Sequence, residues 1–344
     1  MEILLVSAAL VIILVAAGAL YHWVGAAADS HKFPPPGRLV KIEDQRLHLV
    51  DVGSGSPAVI FESGIAASSL NWSAIQAEVA QFTRACAYDR AWLGWSDPAG
   101  TPRIASRLVE ELHALLIAAR VPAPYVLAGH SFGGLLVEAY AVAHPNQVAG
   151  LVLIDPLPAA EWLNVSEAQL RMLHRGVKLS RRGAMLARLG VVRISLALLS
   201  GGARKVPKLA ARLASGRGES TLSRLVGEVQ KMPPETWPMV QAHWCQPKAF
   251  RGMAEYLESL PATARQAAAL DALPSIPVWI LSAGGSTPSQ LAERDAMADR
   301  SAQGKHVIVH DSGHWIHLDQ PRVVVEAIRE MVELVRASER TRPT

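Results

Sequence analysis

Tyr125-Val126-Leu127-Ala128-Gly129-His130-Ser131-Phe132-Gly133-Gly134 runs from an apolar segment into a glycine-rich turn with a serine at its centre. The apolar part has the length and bounds of a buried strand. The residues that follow, Leu135 onward to His144, carry a helical pattern that Pro145 stops. A Gly-x-Ser-x-Gly turn between strand and helix lifts the serine hydroxyl clear of the sheet. Side chains at Gly129 and Gly133 would collide with the neighbouring strand and helix, so the glycines have a steric reason. The helix start behind the serine offers unpaired N–H groups and a positive dipole end where negative charge would develop. Ser131 is therefore a candidate nucleophile.

Around this unit the chain alternates strands with helices. Segments 38–42 and 46–52 read as a hairpin, 58–61 as a buried strand ending at Glu62-Ser63-Gly64, and 83–88 as the next strand. Trp72 stands near the start of the helix between the last two. Tyr88-Asp89-Arg90 opens an irregular loop that continues through Gly94-Trp95-Ser96-Asp97. A helix is expected over 101–119, with Pro102 in its first turn. Strand 148–154 ends at Asp155-Pro156. From 157 to 273 there is no strand-like run, only helical stretches rich in Leu, Ala and Arg. Strands resume at 276–282 and 305–309. A last helix spans 321–337, with Asp319 as its expected cap. Such alternation predicts an α/β architecture with a mostly parallel sheet carrying a long helical insertion.

A serine hydroxyl needs a base, and the base needs an orienting partner. His314, in Asp311-Ser312-Gly313-His314-Trp315, follows the last strand and is placed by that order on the same sheet edge as Ser131. It is the candidate base. No phosphate-binding glycine loop, His/Cys metal cluster or dinucleotide fingerprint is present in the sequence, so no cofactor or metal is expected. Cys86 and Cys245, far apart, suggest no disulfide framework.

With the serine turn, the Tyr88-Asp89-Arg90 loop and Ser312-Gly313-His314, the chain resembles the α/β-hydrolase fold family, in its serine-nucleophile, esterase- or lipase-like branch. The resemblance covers 38–156 and 274–338 as core and implies that 157–273 folds as a helical cap. It implies backbone oxyanion donors at Ile65 and Phe132, with His130 and Trp72 as candidates for the substrate pocket. Where many relatives have His-Gly after the third strand, Glu62-Ser63-Gly64 stands here. The family acid usually follows the strand that here is 278–282, yet that turn reads Gly284-Gly285-Ser286-Thr287, without a carboxylate. Asp155 occupies the other position at which the family places its acid. Asp295 or a neighbour is the alternative, and a histidine–water arrangement a third. A serine at the turn implies acyl transfer, where relatives that open epoxides or cleave carbon–halogen bonds carry an aspartate. The implied activity is a carboxylesterase or lipase acting on an apolar, lipid-like acyl substrate. An amidase or peptidase of the same fold and a non-catalytic binding protein are the alternatives.

The N-terminal segment 1–24 is apolar and long enough to span a bilayer. An uncleaved anchor competes with a signal peptide cut near Ala26-Ala27-Ala28; the lack of a preceding Lys or Arg and the length of the run favour the anchor. Glu2 before it and Lys32, Arg38 and Lys41 after it place the catalytic domain in the cytoplasm. Residues 25–37 form a proline-bearing linker and 339–344 a tail. The net charge of +4 conceals an asymmetry: 171–218 holds twelve Lys and Arg and no Asp or Glu, which leaves −8 for the rest. Arg204, Lys208 and Arg212 recur at helical spacing. This basic segment reads either as a solvated cap face or as a surface for an anionic leaflet. Nucleic acid is not expected as a partner, because interleaved aromatic residues are missing.

Overall fold

The structure is a computed structural model and describes residues 1–100, 102–163, 165–200, 230–269 and 273–341. The chain forms two compact units, one of residues 1–34 with 171–254, the other of 35–170 with 255–344. Arg204, Lys208, Arg212 and the Gly201-Gly202 pair lie outside the described residues.

The second unit is built on an eight-stranded sheet. Its strands are β1 (Arg38–Ile42), β2 (Gln45–Val52), β3 (Ala58–Glu62), β4 (Ala85–Tyr88), β5 (Tyr125–His130), β6 (Val148–Ile154), β7 (Val278–Ala283) and β8 (Lys305–Val309). They lie in the order β1-β2-β4-β3-β5-β6-β7-β8. Only the β1–β2 and β2–β4 pairings are antiparallel, which fits the expected α/β-hydrolase architecture. The parallel strands read as unbroken apolar runs because both of their faces are buried. In β3, Ala58 and Ile60 join a core with Leu112, Leu127 and Tyr140, while Val59 and Phe61 join one with Trp72, Val152, Ile328 and Met331.

Helices cover both faces: α2 (Ser73–Val79), α3 (Ala105–Ala118) and α4 (Phe132–Ala143) alternate with the early strands. The helix expected from residue 101 begins only at Ala105. Arg103 is fully buried and makes a two-pronged ion pair with Glu111, and Ile104 is extended at φ −86° and ψ 158°. Reaching back to Glu111 requires that extended approach and delays the helix.

After β3 the chain crosses to β4 on one side, and after β4 it returns to β5 on the other. The connections leaving the C-terminal ends of β3 and β5 thus diverge, which in open α/β sheets opens the crevice where ligands bind. Pairing of Glu62 with Gly129 and of His130 with Ile154 brings the ends of β3, β5 and β6 level there.

The first unit contains α1 (Glu2–Lys32), α5 (Glu167–Arg188, from Arg171), α6 (Val191–Ser200), α7 (Trp237–Trp244) and the start of α8 (Pro247–Ala268). Among the described residues, α1 is the one helix long and apolar enough to cross a membrane. The core unit is completed by the rest of α8, α9 (Pro288–Asp299), the short α10 (Ile316–Asp319) and α11 (Pro321–Thr341).

Candidate active site

Ser131 joins β5 to α4 with φ 54° and ψ −119°, a conformation that strains any L-residue. Its neighbours permit it because they are glycines. A methyl group at Gly129 would stand 2.6 Å from the Gly133 carbonyl oxygen, and one at Gly133 would stand 2.3 Å from that of Glu62. The Ser131 N–H donates to the Ile154 carbonyl at 3.0 Å, and its own carbonyl accepts from the N–H groups of Gly134 and Leu157. The backbone is thereby pinned, while the hydroxyl has no hydrogen-bond partner among the described residues.

Ile65 lies in the loop after β3, and Phe132 follows the serine in the chain. A methyl group at Gly64 would lie 3.5 Å from Ser131 Cβ, so the loop after β3 rests against the turn. Phe132 is the first residue of α4 and has no helical acceptor for its N–H. Neither N–H donates to another described group, which leaves both donors unpaired.

His314 Nδ1 lies 2.5 Å from Asp155 Oδ2. A carboxylate there favours the tautomer with its proton on Nδ1 and leaves Nε2 free as a base. The loop bearing His314 is tied from three sides. The Gly284 N–H donates to the Ser312 carbonyl, Gly313 N–H and Ser312 Oγ donate to Asp319, and His130 Nε2 lies 2.9 Å from the His314 carbonyl. Asp319 was expected to cap the last helix, but Gln320 is the residue before Pro321, and the Asp319 carboxylate holds the histidine loop instead. No hydrogen bond joins His314 to Ser131; such bonds commonly tighten only with substrate in place.

The Asp155 carboxylate uses its second oxygen as well. Oδ1 accepts from the Ala283 N–H at 3.0 Å and pairs with Arg294 at 2.8 Å. Burial alone would raise the Asp155 carboxyl; His314, the Ala283 N–H and Arg294 outweigh it and hold the group below its ordinary range. Asp295, the alternative acid, is 64% exposed and lies 2.6 Å from His306 Nδ1, so its carboxylate is not on His314. A cavity of about 240 Å³ opens beside Asp155 and His314, with Pro156, Gly285, Ser286 and Arg294 in its wall. It lies on the acid's side, and Ser131 does not line it.

Arg294 was not singled out in the sequence, where the acids on either side of it drew the attention. Its consequence is testable. Arg294 helps to hold the Asp155 carboxyl low, so Arg294→Met should weaken the part of the folding stability that depends on that carboxylate and is lost on acidification, read by chemical denaturation between about pH 7 and pH 3. A role confined to packing would lower stability equally at every pH.

Trp72 and His130 were expected to line the substrate pocket, but they are 0% and 1% exposed. The Trp72 indole donates to Ser63 Oγ at 3.0 Å and stacks on His317 at 4.6 Å. His130 packs among His314, Trp315 and His317. Both residues brace the site from behind. Burial, reinforced by neighbouring histidines, lowers His130 well below its usual value and pushes His317 down to about 3. These two rings stay neutral around His314.

Glu62 also faces inward. It pairs with Arg90 and accepts from the Tyr88 hydroxyl, and Arg90 donates onward to the carbonyls of Ser63 at 2.5 Å and Gly64 at 2.7 Å. Arg90 thus fastens the loop that presents the Ile65 N–H. Its guanidinium lies over Phe132 and over Tyr256 of α8, whose hydroxyl donates to the Ala91 carbonyl at 3.0 Å. Asp89, next in the motif, accepts from the N–H groups of Ser69 and Trp95 and lies 2.8 Å from His48 Nδ1. Arg90→Met would leave the Glu62 carboxylate buried without its cation, at a cost of about 3–5 kcal/mol in chemical denaturation. Adding Glu62→Gln should recover most of that loss. Equal stability of the two variants would count against this role.

The comparisons with known proteins bear on the fold and the family. The chain is 23% identical over 283 residues to the sn-1-specific diacylglycerol lipase ABHD11 of Mus musculus, covering 82% of each. Three other curated relatives are matched over only 41%, 14% and 49% of their own length. Among solved structures, a thermophilic esterase from Thermogutta terrifontis superposes with a TM-score of 0.60 at 22% identity, covering 86% of this chain and 97% of that one. A putative epoxide hydrolase from Pseudomonas aeruginosa gives 0.64 at 18% identity, covering 88% and 98%. Likenesses at that level of identity speak for the fold alone. The model of the alpha/beta hydrolase family matches residues 59–327, from β3 into the last helix, so it takes in every candidate site residue. The protein belongs to the alpha/beta hydrolase family.

Proposed function

We propose that the protein is a membrane-anchored serine hydrolase that cleaves carboxylic esters of apolar acyl groups. Ser131 is the nucleophile, His314 the general base and acid, and Asp155 the orienting carboxylate. The observation that carries this reading is the unpaired Ser131 hydroxyl at the strand–helix turn, with unpaired N–H groups at Ile65 and Phe132 and a His–Asp pair on the same sheet edge. His314 Nε2 takes the hydroxyl proton as Ser131 Oγ attacks the ester carbonyl carbon. The resulting oxyanion accepts from the Ile65 and Phe132 N–H groups. His314 then gives its proton to the leaving alcohol, and water repeats the sequence to release the acid. Epoxide opening in this family relies on a carboxylate at the position of Ser131 and is not proposed.

The anchor is α1, with a mean hydropathy of 2.9 over its most apolar window. Lys32, Arg38 and Lys41 behind it favour a catalytic unit on the cytoplasmic side. The lipase name of one relative favours an apolar, lipid-like acyl chain. Turnover of p-nitrophenyl esters from acetate to dodecanoate, beside the matching anilides, tests the reading. Long-chain esters should be cleaved fastest. Faster cleavage of the anilides would make the protein an amidase or peptidase. Binding without turnover would make it a non-catalytic scaffold.

A further inference from the structure

The helix α1 has two unlike halves. Residues 1–17 are exposed throughout and almost wholly apolar. From Gly18 onward the helix is seated on the insertion helices of its own unit. A methyl group at Gly18 would stand 2.3 Å from the Leu189 carbonyl oxygen, and one at Gly190, where φ is +75°, would stand 2.3 Å from that of Gly18. At Gly25 a methyl group would meet Arg193 Nε at 2.7 Å. One turn further, Arg193 donates to Asp29 at 2.6 Å, with the two side chains only 12% and 20% exposed. Small residues let the backbones approach, and a largely buried ion pair fixes the register. A leader to be discarded needs no such seat.

The free half spans about 25 Å at 1.5 Å per residue, against a hydrocarbon layer of about 30 Å. If α1 crosses the bilayer, the corner formed by Leu189 and Gly190 is carried to one membrane face. What that corner presents is ordered along α5. Arg171, Arg175, Lys178, Arg182, Met185 and Leu189 recur at spacings of four and three, on one stripe. The opposite face buries Leu173, Val177, Ser180, Ala184 and Ala187. The stripe is basic for three turns and becomes apolar where it meets α1. In α6, Val191, Ile194 and Leu198 continue the apolar part at spacings of three and four, and all three are exposed.

We propose that α5 and α6 lie on an anionic bilayer surface, held there by a retained α1. Met185, Val191, Ile194 and Leu198 enter the acyl boundary, and Arg175, Lys178 and Arg182 lie among the lipid phosphates. Each basic residue near such a surface strengthens attachment by about fivefold. This inference rests on the anchoring proposed above but not on the chemistry at Ser131.

The test uses the full chain in lipid nanodiscs, of phosphatidylcholine alone or mixed with phosphatidylglycerol. Met185→Cys carries an environment-sensitive dye; Cys86 and Cys245 are buried and stay unlabelled. Lipids brominated in their acyl chains should quench the dye, more strongly in anionic discs. Arg175→Gln, Lys178→Gln and Arg182→Gln together should remove that anionic increment. Gly18→Leu, which breaks the seat, should reduce quenching in both lipids although the chain stays anchored. A dye unquenched in both lipids overturns the proposal. So does a membrane-purified chain whose mass shows that α1 has been removed, or a dye that responds to added RNA but not to lipid. A fluorophosphonate probe on the same discs keeps the two readings apart. Normal labelling of Ser131 with an unquenched dye defeats only the membrane surface, and quenching without labelling defeats only the hydrolase.

Discussion

Ser131→Ala should lower p-nitrophenyl ester hydrolysis by on the order of 10⁴-fold or more, with the fold intact. The expected loss is large because Ser131 carries the hydroxyl at the strand–helix turn, next in the chain to the unpaired Phe132 N–H. The remaining donors can still polarise a carbonyl, so a small residual rate over water is expected. Loss of the Oγ breaks no hydrogen bond within the described protein, and the thermal midpoint should barely move. Ser131→Gly sharpens the test. It relieves the strained φ of 54°, so it should be equally inactive and more stable by about 1 kcal/mol. A Ser131→Ala enzyme retaining even a tenth of the wild-type rate would place the nucleophile elsewhere.

Asp155→Asn should cost on the order of 10²- to 10⁴-fold in kcat, whereas Asp295→Asn should stay within about twofold. Asparagine keeps the shape of Asp155 but offers no charge to stabilise a protonated His314, and its amide favours the wrong tautomer. Arg294, whose side chain is 4% exposed, would lose its counter-ion, so about 3–5 kcal/mol of stability should go as well. Asp295 faces solvent and His306, where a neutral side chain costs little. The acid dependence of stability gives a second readout. The folded carboxyl of Asp155 is held below its unfolded value, so its contribution is present above about pH 4 and fades as the pH falls through the folded value. Asp155→Asn should remove that part of the acid sensitivity. Equal activity losses for Asp155→Asn and Asp295→Asn would undo the assignment.

Most of the sheet was legible from the sequence because its parallel strands are short apolar runs bounded by turns. The serine turn was legible for a different reason: only glycines fit where Gly133 meets the Glu62 carbonyl. The acid could be narrowed but not chosen, since the choice depends on which loop end meets His314 in space. Trp72, at the start of the helix after β3, and His130, beside the serine in the chain, are buried where pocket residues were expected, because position along the chain does not tell front from back. The true direction follows from packing, with the Trp72 indole satisfied by Ser63 inside the core. The partners of Arg90 and Arg294 escaped for a related reason. Each arginine is a charge whose partner lies far away along the chain, Glu62 for one and Asp155 for the other. The late start of α3 is a third case, where the Arg103–Glu111 pair overrides a helix-start signal at Pro102.

The central claim is that Ser131 becomes acylated through a base held by Asp155. Mass spectrometry after exposure to a fluorophosphonate probe tests it most directly. The account predicts one phosphonyl adduct per chain, mapped to the peptide containing Ser131, absent in Ser131→Ala and formed far more slowly in Asp155→Asn. No adduct on the folded wild-type chain, or an adduct that persists in Ser131→Ala, would contradict it.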